Sequence, residues 1–449
     1  QYKLLILDSQ TFRFVGSLLS QNEILDLDVM RTELLESQRL PDQLTEAIYI
    51  IEPNSDNIAR LIADCTRSSA SSAVHVFFTG ELDDSLFNQL KASPAINMFR
   101  TLKELFMDFY GFEAGTFLTV PPVVPQRMHN SLISGGNSFH RLFSPMSERF
   151  CNSHLEVVAK RIMAACSGIG VTQPPVIRYW RNNEEENTIA KRLAMYVQVE
   201  FDKLSPPESG SSSKSTGSRT EMLVVDRTID QYAPLLHEFT YQAMAMDLVG
   251  KSISVCGADG PNYGKLMYTY VAETGQGNLT KDFYLDDSAD SLWAKYRHSH
   301  IVNAQEEIVA QFRQVMAEGQ SLEEIGNTQS GNKPSVAALR DAVYSLPEYQ
   351  EKKAVYSAHI KLLSECMDAF RQRQMPKVAE VEQDMVMGVS SDGIKIESIE
   401  NTLIPLLGSL GSSSEQLSDK LRLLLLYAIN KAGDIRDVDR RRLIQLAKL

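Results

Sequence analysis

The sequence predicts an α/β chain whose second half turns mostly helical. Short apolar runs at residues 4–7, 47–51 and 74–78 each stop at polar, Gly or Pro residues. Runs so short, with such stops, read as buried parallel strands. Amphipathic stretches lie between them, and from about residue 245 apolar residues fall at helical spacing. Strand, helix, strand in this rhythm means a three-layer, Rossmann-like α/β domain with a parallel sheet at the N-terminus.

Taken in order, the first run ends at Asp8, the second at Glu52-Pro53 and the third at Thr79-Gly80. Ile58, Leu61 and Ile62 mark a helix between the second and third, and residues 86–90 mark another after the third. A second unit begins past Pro121, Pro122 and Pro125. There Leu155, Val158, Ile162 and Cys166 form a helical stripe, residues 174–179 read as a strand and 188–201 as a long helix. Residues 205–218 are Ser- and Gly-rich and too polar to pack, either a natural surface loop or an artificial linker. They feed a strand at 222–225. Beyond an extended stretch at 265–285, with Leu266, Tyr268 and Tyr270 alternating, helices are predicted at 292–318, 335–344, 346–374, 376–387, 399–407 and 414–430. No repeat of fixed period is present.

Composition narrows the function classes. The 449 residues are 43% apolar and 23% charged, ordinary globular values that supply a sizeable core for two to four domains. A formal net charge of −12 disfavours nonspecific attraction to nucleic acid or anionic lipid. The five cysteines lie far apart with no C-x-x-C pair, which argues against a disulfide framework and a zinc site. No run of about twenty apolar residues could span a bilayer. The first residues read as a strand and not a signal peptide, so a soluble intracellular protein is expected. Gln1 stands where a Met would, so a short preceding piece is expected too.

Catalytic motifs fail on inspection. Gly250-Lys251-Ser252 resembles the end of a phosphate-binding loop, but Ala245 stands where the first glycine is needed. Ser211 and Lys214 match S-x-x-K only inside the polar loop, where no preorganised site can form. Asp8 and Asp226 sit at strand C-termini, where α/β enzymes place chemistry. The alternative is that they cap helices or pair with Arg13 and Arg227. His298 and His300, two apart on a predicted helix, do not share a face and make a poor metal pair. His237 reads as a satisfied core histidine. No catalytic residue, metal or cofactor is predicted.

Residues 223–250 read LVVDRTIDQYAPLLHEFTYQAMAMDLVG: a strand, a turn with Asp226, Arg227 and Asp230, then a helix from near Pro234. This stretch closely resembles the most characteristic segment of the SM family, the Sec/Munc-type syntaxin-binding proteins of vesicle fusion. Residues 292–301, 346–350 and 381–388 are similar to other parts of that family, as are the strands ending at Asp8 and Glu52. The wording at 233–242 looks most like the exocytic branch. The resemblance implies an arch of three domains: α/β domain 1 at 1–120, mixed α/β domain 2 at 121–244, and mostly helical domain 3 at 245–449 with a helical hairpin. In the family a returning C-terminal segment completes domain 2. This chain stops before it, so domain 2 is expected to be incomplete here, with an unpaired sheet edge.

The resemblance further implies partners and contacts. A syntaxin-type SNARE, a vesicle SNARE and the assembled SNARE bundle would be held by a cytoplasmic protein at the plasma membrane or vesicle docking sites, reached through those partners. Asp8, Phe12 and Glu33 match positions lining the cavity that takes the syntaxin-type helix. Ser20 departs from a basic residue often found there. Phe109 matches an outer pocket for a syntaxin N-terminal peptide, although Tyr110, Gly111 and residues 117–120 differ. Pro347 is placed at the turn of a hairpin that templates the vesicle SNARE, with Tyr349 and Ile360 on the contacting side. Read from the residues alone, Tyr349, Tyr356 and Ile360 are equally an ordinary core stripe. The competing class is an α/β hydrolase- or nucleotide-type enzyme with a helical lid.

Overall fold

The structure, a computed structural model, describes the chain apart from residues 1, 39–44, 67–72, 121–147, 172, 182–187, 205–219, 257–262, 275–276, 328–335, 391, 432–434 and 448–449. The proline cluster at 121–125 and the Ser-rich stretch at 205–218 therefore lie outside the described residues. Two compact units emerge, residues 1–229 with 255–266, and residues 230–254 with 267–449. The division falls inside the 223–250 segment.

In the first unit, β1 (Lys3–Leu7), β2 (Val29–Leu34), β3 (Glu46–Ile51), β4 (Val74–Phe78) and β5 (Phe99–Glu104) form a parallel sheet in the order β2-β1-β3-β4-β5. Helices α1 (Ser9–Leu18) and α2 (Gln21–Asp26) follow β1; α3 (Ser55–Thr66) follows β3 and α4 (Asp84–Ala92) follows β4. Period-two alternation sorts the strand residues onto two faces. Leu5, Leu7, Ile48 and Ile50 pack with Phe12 and Val15 of α1, while Leu4, Ile6, Tyr49 and Ile51 pack with Ile58 and Leu61 of α3. The three predicted strands are the central ones. The two missed strands, β2 and β5, are the edges, and most of their residues are partly or fully exposed, which lets polar side chains mask the pattern.

The rest of this unit holds the hairpin of β6 (Tyr110–Glu113) and β7 (Thr116–Leu118), then α5 (Glu148–Gly168), β8 (Val176–Tyr179), α6 (Ile189–Leu204) and β9 (Glu221–Val224). Strands β8 and β9 pair in parallel as a two-stranded sheet. Met163, Val197 and Phe201 of α5 and α6 form its core with Ile177 and Met222.

In the second unit, α7 spans Tyr241–Leu248, and Pro234 lies in a single 3-10 turn, Ala233–Leu235. The helix expected from Pro234 thus begins seven residues later. Strands β10 (Ile253–Val255), β11 (Leu266–Thr274) and β12 (Gly277–Leu285) form a three-stranded sheet. The helix expected over 292–318 is broken into α8 (Ser291–Tyr296) and α9 (Ile301–Asn327). Between them the chain pairs with the start of α7: Tyr241 N–H donates to Ser299 O and Ile301 N–H to Phe239 O, each at 2.9 Å. These tertiary bonds override local helical preference, and His298 and His300 fall in the break, not on a helix.

The next helix, α10, runs without interruption over Val336–Gln372 and packs on α9 as a helical hairpin. Pro347 lies inside α10, eleven residues past its start, so it does not occupy the hairpin turn. Residues 328–335, between α9 and α10, are outside the described residues. Helices α11 (Met375–Met387), α12 (Glu400–Ser409), α13 (Ser414–Asn430) and α14 (Asp437–Ala447) enclose a core of Met375, Val378, Leu403, Leu407, Leu423 and Leu426. Among the described residues no helix is long and apolar enough to cross a membrane.

Candidate functional site

Order β2-β1-β3 places a topological switch at the C-terminal ends of β1 and β3, where open α/β sheets form crevices. Asp8 stands there, 2% exposed. Its Oδ1 accepts from Gln10 N–H and Thr11 N–H at 2.9 Å, capping α1. Its Oδ2 accepts from the Thr11 hydroxyl at 2.9 Å, Glu52 N–H at 2.6 Å and Asn57 Nδ2 at 3.0 Å. Five donors inside the fold occupy both oxygens, so the capping alternative describes Asp8 and the direct contact expected of it has no lone pair to use. Beside it, burial together with the negative charges of Asp8 and Asp108 lifts the Glu52 carboxyl to about 7, against a lowering by Arg161. A crevice of about 390 Å³ opens next to this point, lined by Glu36, Asn54, Ser55, Asp56, Asn57 and Arg60.

The other expected contacts of the first unit separate. Phe12 is half-buried on the α1 face of the sheet, against Leu5 and Leu7. Glu33 pairs in register with Ile6, which belongs to the α3 face, and is held 3.0 Å from Arg31 Nε. Phe12 therefore packs onto one face of the sheet, and Glu33 lies on the other. Ser20, the departure from a basic residue, caps α2 in a reciprocal box with Glu23. Phe109 stands edge-on to Phe117, with ring centroids 5.8 Å apart, beside Gly168 at the end of α5.

The α9–α10 hairpin offers a different surface. Tyr349, 7% exposed, points its hydroxyl at Met316 Sδ, 3.5 Å away on α9. The Tyr356 hydroxyl donates to Gln311 Oε1 at 3.1 Å, and Gln311 Nε2 donates to the Tyr296 hydroxyl at 2.6 Å. Tyr349 and Tyr356 hold the two helices together, and Tyr296 ties α8 to α9. Ile360 instead is half-buried in a groove of about 210 Å³ between the helices, with Val309, Leu363 and Met367 as apolar neighbours and Gln305, Asp368 and Arg371 at the rim. A shallower depression of about 440 Å³ continues along α9 past Val302, Glu306 and Arg313. A lining shared by apolar and exposed charged side chains along two helices matches the helix-in-groove mode of recognition. Asp226 meanwhile accepts from Thr228 N–H at 3.0 Å and Ala190 N–H at 3.2 Å, which is turn and cap chemistry.

Comparison with known sequences settles what kind of chain carries these features. The sequence profile of the Sec1 family matches residues 3–448. The chain belongs to the Sec1 family. It is 29% identical over 450 residues to the protein transport protein sec1 of Dictyostelium discoideum, covering 99% of this chain and 67% of that protein. It is 28% identical over 444 residues to the protein transport protein sec1 of Schizosaccharomyces pombe, covering 97% of this chain and 58% of that protein. The chain thus spans about three fifths to two thirds of the length of these Sec1 relatives. In three dimensions it matches the Unc18–syntaxin 1 complex from Monosiga brevicollis with a TM-score of 0.77 and 24% identity, over 100% of this chain and 72% of that one. The α/β fold with a helical C-terminal part is that of the Sec1 family, as residues 223–250 had indicated.

Val309 and Met367 are groove residues of this Sec1-family chain that the sequence reading missed. A signal for them exists: Val302, Gln305 and Val309 recur at helical spacing on α9, as do Ile360, Ser364, Met367 and Arg371 on α10. Each row mixes apolar and polar residues, so neither stands out as a core stripe.

Proposed function

We propose that this chain binds a syntaxin-type SNARE and a vesicle SNARE, and that it chaperones their assembly in exocytic vesicle docking and fusion. The observation that carries this reading is the α9–α10 groove around Ile360, where apolar and exposed charged side chains share the lining, on a member of the Sec1 family. The names of its relatives, transport proteins and a syntaxin complex, support it. SNARE proteins present long amphipathic helices, and holding two of them side by side lowers the entropic cost of forming a four-helix coiled coil. Binding alone does this work, so the protein acts without catalysis, in the cytoplasm, reaching membranes through its partners. The domain boundaries near residues 120 and 245 belong to the same proposal.

Phe12 and Glu33 remain contact positions in this reading, Asp8 is their scaffold, and Phe109 belongs to a separate peptide pocket. The test is retention of the chain on immobilised syntaxin-type and vesicle-SNARE cytoplasmic domains, singly and together. Saturable binding of either, weakened at least tenfold by Ile360→Glu for the vesicle SNARE, is expected. A folded chain that binds neither overturns the proposal.

A further inference from the structure

Six charged or chargeable side chains meet under the residues 230–250 that carry the family wording, and all belong to the second unit. The His237 ring is 2% exposed. Its Nδ1 lies 2.7 Å from Glu382 Oε1 on α11, while its own main-chain N–H donates to Glu382 Oε2 at 3.0 Å. Its Nε2 lies 3.3 Å from Asp419 Oδ1 on α13 and 3.8 Å from Asp247 Oδ2 on α7. Asp419, fully buried, also accepts from Arg373 Nε at 3.0 Å and from its Nη2. Asp247 accepts from both terminal nitrogens of Arg422, at 2.6 and 3.0 Å.

The charges decide the state of the ring. Three carboxylates, Glu382, Asp419 and Asp247, meet two guanidiniums, Arg373 and Arg422. A neutral imidazole has one N–H and one bare lone pair. Either tautomer would turn that lone pair toward a carboxylate, and Glu382, 1% exposed, would be left as a buried anion facing a neutral ring. An imidazolium donates from Nδ1 to Glu382, turns the positive Nε2 side toward Asp419 and Asp247, and makes the set three against three. Arg373 sits between α10 and α11, where the next residue, Gln374, holds a left-handed backbone at φ +56°, uncommon for a side chain with Cβ. Arg373 also donates from Nη1 to Asp247 O at 3.1 Å. The sharp corner between the hairpin helix and the bundle is therefore held by the same charge cluster.

We propose that His237 is an imidazolium in the folded protein and supplies the third positive charge of a clamp that fixes the α10–α11 corner on α7 and α13. Burial opposes the proton, but the carboxylates of Asp419 and Glu382 outweigh it and lift the ring to about 9, even against Arg422. The clamp goes beyond any partner the chain takes and needs none to be tested.

The direct measurement is imidazole nitrogen NMR on the ¹⁵N-histidine-labelled chain between pH 5.5 and 9.5, with the His237 signal assigned by its loss in His237→Gln. Both ring nitrogens protonated up to about pH 8 is the expected result; a ring that turns neutral below pH 7 overturns the proposal. Thermal unfolding at pH 7 gives the second readout. His237→Gln and Glu382→Gln should each lower Tm, and the double variant should recover at least half of the larger loss because it restores the charge balance. Additive losses would mean that packing and not charge holds the corner, which would also overturn it. Should His237→Gln fail to fold, the wild-type titration decides alone, with the signal assigned by through-bond correlation.

Discussion

The main-chain N–H of Glu52 donates to Asp8 Oδ2 at 2.6 Å, so the first residue past β3 is bonded to the first residue past β1. One carboxylate thereby ends two adjacent strands and starts α1. Asp8→Asn tests how much rests on it. An amide keeps one acceptor but presents an NH₂ group to donors from Thr11, Glu52 and Asn57 or to the α1 cap. Lost cap and unsatisfied donors together are expected to cost about 2–4 kcal/mol. Urea unfolding of the first-unit transition measures it, and an effect below about 1 kcal/mol would mean that these bonds are replaced by water.

Glu52 makes that transition pH-dependent. Its carboxyl is lifted from 4.5 to about 7 by burial and by Asp8 and Asp108. A folded-state value above the unfolded one means full stability below about pH 4.5 and a decline as pH rises through 7. Because Glu52 is partly solvated, the decline is expected to be about 1–3 kcal/mol. Glu52→Gln should flatten the profile over that window and be the more stable protein at pH 8. A wild-type curve with no slope between pH 4.5 and 7, or a variant that keeps the slope, would rule this out.

How much of this was readable beforehand follows from what each residue does. The central strands declare themselves because Ile6, Tyr49 and Val76 are buried and, in β1 and β3, their neighbours along the strand are apolar on the other face too. The edges do not, since Arg31, Thr32 and Lys103 face solvent at least in part. The break at 297–300 depends on bonds to residues 239–242, some sixty positions away, which no local window contains. Asp8 was legible as a position and ambiguous as a role: capping and partner contact call for the same residue after the same strand. Tyr349 and Ile360 looked alike on one helix stripe, and only the place of α9 separates the tyrosine that joins the hairpin from the isoleucine that lines its groove.

That separation makes a paired prediction. Tyr349→Ala removes a buried ring between α9 and α10 and is expected to destabilise the second unit by about 3–5 kcal/mol. Ile360→Glu places a charge in an open groove and is expected to cost under about 1.5 kcal/mol while abolishing the groove as an apolar site. Denaturant midpoints and vesicle-SNARE affinity, measured on both, should move in opposite order. Equal losses of stability would mean that the groove is core, and the binding proposal would lose its main support.

Pro347 carries the last prediction, because α10 passes through it without a break. A proline inside a helix removes one N–H donor and crowds the carbonyl one turn back, at about 3 kcal/mol relative to alanine. The helix persists at this point although its local sequence opposes it, so the rest of the α10 helix must offset the cost. Pro347→Ala is therefore expected to stabilise the hairpin by about 1–3 kcal/mol. Hydrogen exchange should show the gain as slower exchange at residues 343–350, with little change in α11–α14. Faster exchange there would mean that the proline ring itself contributes packing that alanine cannot replace, and that the hairpin depends on the ring for its stability.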